Sequence, residues 1–147
     1  MRPVGLLAAM VLCGCGTPTP RGVELLPAAA DGTASQVVTR ELERARHEGR
    51  QLLVYVGAGW CEPCRRFHAA AAAHQLDAAF PTLRLLEFDA DRDGERLQAA
   101  GYQSRLIPLF ARPAADGRAS GRQMEGSVKG DGAVAEMVPR LRALLTP

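Results

Sequence analysis

The sequence is poor in aromatic residues and carries almost no excess charge of either sign. Aromatic side chains make up 5% of its 147 residues, and Trp60 is its single tryptophan. The formal net charge is only +2, and the arginines are scattered rather than gathered in a basic run interleaved with aromatics, so we expect no nucleic acid partner. No apolar stretch has the roughly 18 residues that a membrane-spanning helix needs, which excludes such a helix from the mature chain.

What the chain does contain is the composition of one ordinary globular domain. Hydrophobic residues make up 47% and charged residues 23% of the sequence, a balance typical of folded proteins. A length of 147 residues is enough for one domain with a buried core but not comfortably for two. Because much of the apolar share is alanine, we expect a light, helix-rich core.

The first residues have the pattern of an export signal. Met1 and Arg2 carry positive charge, residues 4–12 are almost wholly apolar, and small residues follow. Residues 12–15 read LCGC and resemble a bacterial lipobox, with Cys15 in the position that is acylated. The resemblance implies a lipoprotein signal peptide over 1–14 and an exported protein anchored at the periplasmic face of a bacterial membrane. The alternatives are a secretory signal cut elsewhere and an uncleaved apolar N-terminus.

This processing would change the cysteine count. Four cysteines allow three different two-bridge pairings. If Cys13 leaves with the signal and Cys15 carries lipid, Cys61 and Cys64 are the two thiols that remain. Export would also place them in a compartment where disulfides persist.

The rest of the chain divides into a spacer and one domain. Prolines, Gly32 and a run of alanines predict a flexible tether over 15–34, and a folded domain over 35–147. Alternating patterns argue for an α/β fold, a mixed sheet of about four strands flanked by helices on both faces. Helices are predicted over 35–50, 61–79, 93–100 and 131–145, and strands over 51–56, 83–88, 107–111 and 118–125.

The spacing of Cys61 and Cys64 favours redox chemistry. Positions i and i+3 at a helix start lie on one face, so the two thiols can form a disulfide. Such a small loop contributes little stability, which makes a structural role a poor explanation. Cys61 lies where the unpaired N–H groups of the helix stabilise a thiolate, so we expect it to be the nucleophile. Cys64, one turn further and more buried, would then resolve the mixed disulfide.

Charges beside the cysteines oppose one another. Arg65 and Arg66 add positive charge and favour the Cys61 thiolate, whereas Glu62 disfavours it. Pro63 is compatible with a helix because it lies in the first turn. The sequence alone leaves the sign of the net effect on the thiol open.

Residues 53–67, LVYVGAGWCEPCRRF, resemble the active-site strand, turn and helix of the thioredoxin superfamily, and the similarity runs from about Gln51 to the C-terminus. The resemblance implies a thioredoxin-like fold and a thiol–disulfide oxidoreductase that exchanges disulfides with protein partners. It implies that the Cys61–Cys64 disulfide is the redox centre and that the protein uses no cofactor and no metal.

The resemblance also implies a substrate-binding surface. Ile107 and Pro108 lie where the family places its cis-proline loop, which packs beside the disulfide and presents backbone groups to a substrate. Gly126 matches a family glycine near that surface. Trp60, beside the nucleophile, is expected to shield the disulfide and to form part of the docking surface.

Several positions depart from the family pattern. Tyr55 occupies the place of an acidic residue that helps to move a proton at the resolving cysteine. Leu106 and Leu109 replace small or hydroxyl residues beside the proline, which makes the expected groove more apolar. The Glu62-Pro63 dipeptide differs from the Gly-Pro of cytosolic thioredoxins and leaves the redox potential open.

Two other functions compete with the redox interpretation. Cys61, Cys64 and His68 share one helical face, so a copper or zinc site on a metal-binding lipoprotein is the main rival. A non-catalytic thioredoxin-like binding module is the other, suggested by Tyr55, Leu106 and Leu109.

Overall fold

The computed structural model describes residues 21–147. The predicted signal peptide over 1–14 and the lipidation site Cys15 lie outside the described residues. The chain forms, in order, the elements β1 (Glu24–Pro27), α1 (Ala34–His47), β2 (Gln51–Gly57), α2 (Glu62–Ala72), β3 (Leu83–Asp89), α3 (Gly94–Ala99), β4 (Leu109–Pro113), β5 (Ala119–Glu125) and α4 (Ala133–Leu145).

The strands form one mixed sheet in the order β1-β3-β2-β4-β5. Strands β1, β3 and β2 are parallel, β4 runs antiparallel to β2, and β5 runs antiparallel to β4. One face of the sheet packs on α1 and α3 through a core that includes Val38 and Leu97. The opposite face packs on α2 and α4 through a core that includes Phe67 and Met137. The predicted α/β architecture, a mixed sheet with helices on both faces, is confirmed.

The predicted tether over 15–34 is wrong at its C-terminal end, because Glu24–Pro27 is a strand and α1 begins at Ala34. Leu25 and Leu26 pair in parallel register with Leu85 and Leu86 of β3. The folded part begins still earlier than the strand, since the N–H of Arg21 donates to the carbonyl of Pro81 at 2.9 Å. A four-residue edge strand has no periodicity of its own to predict it, and only the exposed edge of β3 makes it a strand.

Helix α2 ends at Ala72, seven residues before the end predicted for it. His74 has a φ of 58°, a left-handed conformation that no α-helix continues through. Turns then lead to Phe80, which is buried. The other helices and strands lie within three residues of their predicted bounds.

Strand β2 is the central element that positions the site. It lies between β3 and β4, and every residue from Leu52 to Gly57 is buried. The chain leaves the sheet at the carboxyl end of β2, turns through residues 58–61 and begins α2. Within residues 21–147, none of the helices has the length and apolar character that crossing a membrane requires.

Candidate active site

Cys61 and Cys64 form a disulfide at the first turn of α2, with their Cα atoms 5.2 Å apart. Cys61 is the N-cap residue, and its sulfur accepts a hydrogen bond from the backbone N–H of Cys64 at 3.3 Å. Pro63 occupies the first turn, as predicted. Cys64 was expected to be more buried than Cys61, but the two residues are equally buried, at 2% and 3% exposed. The reason is that the chain around the disulfide covers both residues.

Three separate segments of the chain cover the disulfide. Ala58 from the turn after β2, Ala90 from the segment after β3, and Ile107 all pack against the two cysteines. The peptide bond between Ile107 and Pro108 is cis, the form that the family resemblance implies. The structure therefore places Ile107 beside the disulfide, and Pro108 follows it through the cis peptide bond.

Gly126 is joined to this loop by its backbone. Its N–H donates to the carbonyl of Pro108 at 2.9 Å, and its φ is +66°. A Cβ at this position would lie 2.9 Å from Cδ1 of Leu106. Only glycine combines this left-handed conformation with so close a neighbour. Leu106 itself is 60% exposed and extends the apolar surface next to the disulfide.

Trp60 lies on the outside of the site. Its side chain is 67% exposed, and its indole N–H donates to the carboxylate of Asp91 at 2.9 Å. Asp91 was missed by sequence reasoning, because a partner 31 positions away leaves no local pattern. The bond fixes the orientation of a large exposed aromatic beside Cys61.

The charge of Glu62 is held away from the disulfide. Arg66, one helical turn further on, binds its carboxylate, and the backbone N–H of Gly130 donates to the same group at 3.3 Å. The hydrogen bond from Arg66 lowers the pKa of Glu62 most, and Gly130 adds to the effect. Arg66 also pairs with Asp131 at 2.6 Å. Glu62 thus serves to join α2 to the loop before α4, and its charge is largely neutralised by its partners.

The guanidinium of Arg65 donates to the carbonyl of Gly59 at 3.0 Å. This contact closes the turn between β2 and α2 on the outer side of the disulfide. It keeps a positive charge beside the nucleophile's turn, where it favours a thiolate.

Tyr55 is fully buried on the α2 face of the sheet. Its ring packs on Phe110 with centroids 5.0 Å apart, on Phe67, and on His68 at 5.6 Å. Its hydroxyl is buried without a hydrogen-bond partner among the described residues. Burial, and to a smaller extent the charge of Glu87, raises the pKa of Tyr55. The hydroxyl is therefore a neutral group that can both donate and accept.

Glu87 is a second residue of the site that sequence reasoning missed. It is the register partner of Tyr55 on the neighbouring strand β3, so both side chains lie on the same face. Its carboxylate lies 2.9 Å from Nε2 of His68. A glutamate within the apolar run of β3 was the available signal. A cavity of about 400 Å³ is lined by Tyr55, His68, Glu87 and Cys64 among others.

The competing metal site finds no support in the donor groups. Among residues 21–147, no three histidine, cysteine, aspartate or glutamate side chains are grouped as a metal ion would require. The sulfurs of Cys61 and Cys64 are bonded to one another, and His68 faces Glu87. The three predicted ligands share a helix face without forming a common site.

Comparison with known proteins finds relatives by structure and none by sequence. No protein-family model matches the chain, and no curated protein matches it. A poplar thioredoxin h superposes with a TM-score of 0.51 and 21% identity, over 86% of this chain and 98% of that one. A thioredoxin of Trichomonas vaginalis gives 0.50 and 18%, over 80% and 96%. Together with the sheet order, the disulfide and the cis-proline, these matches show that the chain has the thioredoxin-like fold.

Proposed function

We propose that this protein is a thiol–disulfide oxidoreductase that uses Cys61 as nucleophile and Cys64 as resolving thiol. The observation that carries the proposal is the position of the pair: the sulfur of Cys61 caps α2 and accepts the N–H of Cys64. A thiolate there receives a hydrogen bond and the favourable field of the helix N-terminus. A structural disulfide would gain nothing from that placement.

The reaction follows from the geometry. In the reduced protein, the Cys61 thiolate attacks a substrate disulfide, forms a mixed disulfide and releases one substrate thiolate. Cys64 then loses its proton and attacks the Cys61 sulfur. The Cys61–Cys64 bond forms, the second substrate thiolate leaves, and two electrons have passed to the substrate. Read in reverse, the same steps oxidise a substrate dithiol.

The substrate surface around the pair is apolar and exposed. Trp60 and Leu106 are more than half exposed, and Ile107, joined to Pro108 by the cis peptide bond, lies beside the disulfide. Exposed apolar side chains next to a reactive group favour a protein partner that presents its cysteine within an apolar segment. A general reductant of small disulfides has no need of this surface.

The test is turnover of a disulfide-bonded protein with a dithiol as electron source. We expect insulin to be reduced by the wild type and by the control Cys13→Ser, and not by Cys61→Ser. Cys64→Ser should accumulate a mixed disulfide at Cys61, visible by mass as a covalent adduct. Reduction by Cys61→Ser at the wild-type rate would refute the assignment and leave a binding module as the alternative.

We also propose that lipid on Cys15 tethers this enzyme to a membrane at the periplasmic face. The described chain begins at Arg21 and continues into β1, which runs parallel to β3 and so in the same direction as β2. It therefore joins the domain at the amino end of β2, opposite to Cys61. Five residues separate Cys15 from Arg21, so the link spans at most about 20 Å. Such a short link would hold the amino end of the sheet towards the membrane and direct the disulfide away from it.

Expression in a bacterium with labelled palmitate tests the tether. The wild type and Cys13→Ser should carry label and sediment with membranes, whereas Cys15→Ser should lose both. Equal labelling of Cys15→Ser, or an N-terminus cut elsewhere by mass spectrometry, would refute the anchor without touching the redox assignment.

A further inference from the structure

The cavity beside Cys64 contains hydrogen-bonding groups that take no part in the thiol–disulfide exchange between Cys61, Cys64 and the substrate. Cys64 must lose a proton before it can attack, and a thiol buried at 2% exposure resists ionisation. The strand residue behind it is Tyr55, a phenol that stays protonated because burial raises its pKa. A proton acceptor for Cys64 therefore has to come from another side chain or from solvent.

His68 is the side chain placed for this task. It lies four residues after Cys64 on α2, so both residues occupy the same helix face, and both line the same cavity. Its Nε2 lies 2.9 Å from the Glu87 carboxylate. An ionised Glu87 can only accept a hydrogen bond, so Nε2 carries the hydrogen and Nδ1 is left free to take a proton.

The Tyr55 hydroxyl completes the arrangement. It is buried, has no partner among the described residues and lines the cavity that Cys64 and His68 share. The rings of Tyr55 and His68 are in contact, with centroids 5.6 Å apart. A hydroxyl can accept one proton while it gives up its own, so Tyr55 can pass a proton without changing charge.

We propose that His68, oriented by Glu87, accepts the Cys64 proton during resolution of the mixed disulfide, with the Tyr55 hydroxyl as the intermediate group. This inference rests on the proposed oxidoreductase function and deepens it. The proton moves from the Cys64 sulfur to the Tyr55 oxygen as the Tyr55 proton moves to Nδ1 of His68. The Cys64 thiolate then attacks Cys61 and the substrate thiolate leaves. The imidazolium is stabilised by Glu87 and returns its proton when Cys64 is next released as a thiolate.

Other charged groups face the same cavity. Arg65 comes from α2, Asp89 from the last position of β3, and Arg92 from the segment after β3. On its other side His68 faces Val23 and Leu25 of the first segment and His74 beyond α2. The nearby charges of both signs roughly balance, and within this set only Glu87 is paired with the imidazole.

A coloured aromatic disulfide, dithiobis(nitrobenzoate), separates the two steps in the reduced full chain. Attack by Cys61 releases one coloured thiolate, and resolution by Cys64 releases the second. General bases contribute roughly 10²–10⁴-fold; since solvent reaches the cavity, we expect a loss of about 100-fold at neutral pH in His68→Ala and His68→Gln.

The first phase should keep its wild-type rate in both variants. Free imidazole in the buffer should restore the second phase of His68→Ala, whose shortened side chain leaves room for it. Tyr55→Phe removes the intermediate group and should slow the second phase by a factor similar to that of His68→Gln, whereas Glu87→Gln should slow it by a smaller factor. His47→Gln, a change at a histidine exposed on α1, should leave both phases unchanged.

The outcomes separate the two proposals. If the wild type releases no second thiolate, the oxidoreductase function itself fails. If the wild type shows both phases and His68→Gln keeps the second phase at the wild-type rate, the proton path is refuted and the oxidoreductase stands. Equal slowing of both phases, or a slow second phase that imidazole does not restore, also refutes the path.

Discussion

Charged side chains lie at both ends of the central sheet, but the two ends differ in how these side chains are paired. At the amino end, Arg84 of β3 is 4% exposed and its guanidinium lies 2.8 Å from Glu24 and 2.5 Å from Glu48. At the carboxyl end of the same strand, Glu87 meets His68 at the wall of an open cavity, beside a hydroxyl that has no described partner. The charged groups at the amino end, or closed end, are held in ion pairs, although Nη1 of Arg84 makes no hydrogen bond with a described residue. The carboxyl end, or open end, instead keeps a neutral hydroxyl that has no partner among the described residues.

The difference indicates which charges serve stability and which serve chemistry. Glu24 of β1, Glu41 of α1 at 3.8 Å and Glu48 at the C-cap of α1 surround Arg84 and balance the charge of this buried cation. A proton carrier cannot be satisfied in this way, because a group held in ion pairs on all sides has no free site for a proton. The His68 imidazole and the Tyr55 hydroxyl at the carboxyl end can therefore take part in proton transfer, whereas the groups held in ion pairs at the amino end cannot.

The largest expected effect comes from breaking the closed end. Arg84→Met removes the cation and leaves Glu48 without its ion-pair partner, while Glu24 keeps Arg50 and Glu41 keeps Arg44. Breaking a buried ion pair costs about 3–5 kcal/mol. Because Glu24 and Glu48 are partly exposed and can rehydrate, we expect a loss of about 3 kcal/mol in the free energy of unfolding. Urea unfolding measures it, with the exposed Arg118→Met as control.

The rate of the second exchange phase should not change in Arg84→Met. A loss below about 1 kcal/mol would mean that the amino end tolerates an unpaired carboxylate. The two ends would then differ in where their charged groups lie and not in how much ion pairing contributes to stability.

A smaller effect is expected from closing the open end. A Cβ on Gly57 would lie 2.6 Å from the Tyr55 hydroxyl, so Gly57→Ala must displace a buried ring, at a cost of about 1–3 kcal/mol. Adding Tyr55→Phe removes the nearest atom and should recover part of the loss, but Cζ at 3.0 Å remains close. Gly59→Ala, which meets no atom within 4 Å, is the control.

Thermal or urea unfolding of the three variants compares these free energies. If Gly57→Ala were as stable as Gly59→Ala, the ring of Tyr55 would have room to move. Its hydroxyl would then have no fixed place at the cavity.

The open end was also the harder one to predict from sequence. The alternation of strands and helices, and the pair Cys61 and Cys64 at a helix start, predict the fold class and the position of the disulfide because both depend on local spacing. The His68–Glu87 pair joins α2 to β3 and arises only when the helix packs on the sheet. The approach of Gly57 to Tyr55 likewise depends on a rotamer, which no pattern of residue types encodes.

Strand β1 was missed for a related reason. Glu24–Pro27 is a strand because β3 offers it an unpaired edge, and its sequence between prolines and alanines is equally suited to a spacer. By contrast, the partner of Glu62 could have been predicted, since Arg66 lies four residues later on the same helix, a spacing that pairs side chains.

Removing a hydroxyl should have unequal consequences at a satisfied and an unsatisfied site. Tyr102, also buried, donates to the carbonyl of Gly117 at 2.9 Å, so Tyr102→Phe should lose about 1 kcal/mol of unfolding free energy. Tyr55→Phe breaks no described hydrogen bond and should lose less than half of that. Urea unfolding of both variants checks it. Equal losses would show that the Tyr55 hydroxyl is bound as firmly as that of Tyr102.

The smallest effect is expected from acid, and it should be similar at the two ends. Hydrogen bonds from Arg84 and Arg66 lower the pKa of Glu48 and of Glu62, respectively, from the ordinary value of 4.5. A lowered folded pKa contributes stability that is present above about pH 4.5 and is lost as the pH falls through the folded value. The stability of the wild type should therefore decline in acid, with both glutamates contributing to the slope.

Glu48→Gln and Glu62→Gln should each flatten that decline, because an amide binds no proton in this range. Unfolding free energies measured at neutral pH and at several points below pH 4.5 give the slopes, which report the difference in bound protons between the two states. Both glutamates are at the surface, where solvent screens the ion pair, so neither variant should change the neutral value much. If Glu62→Gln alone left the acid slope unchanged, its carboxylate would be unpaired in solution, and its charge would again act on Cys61.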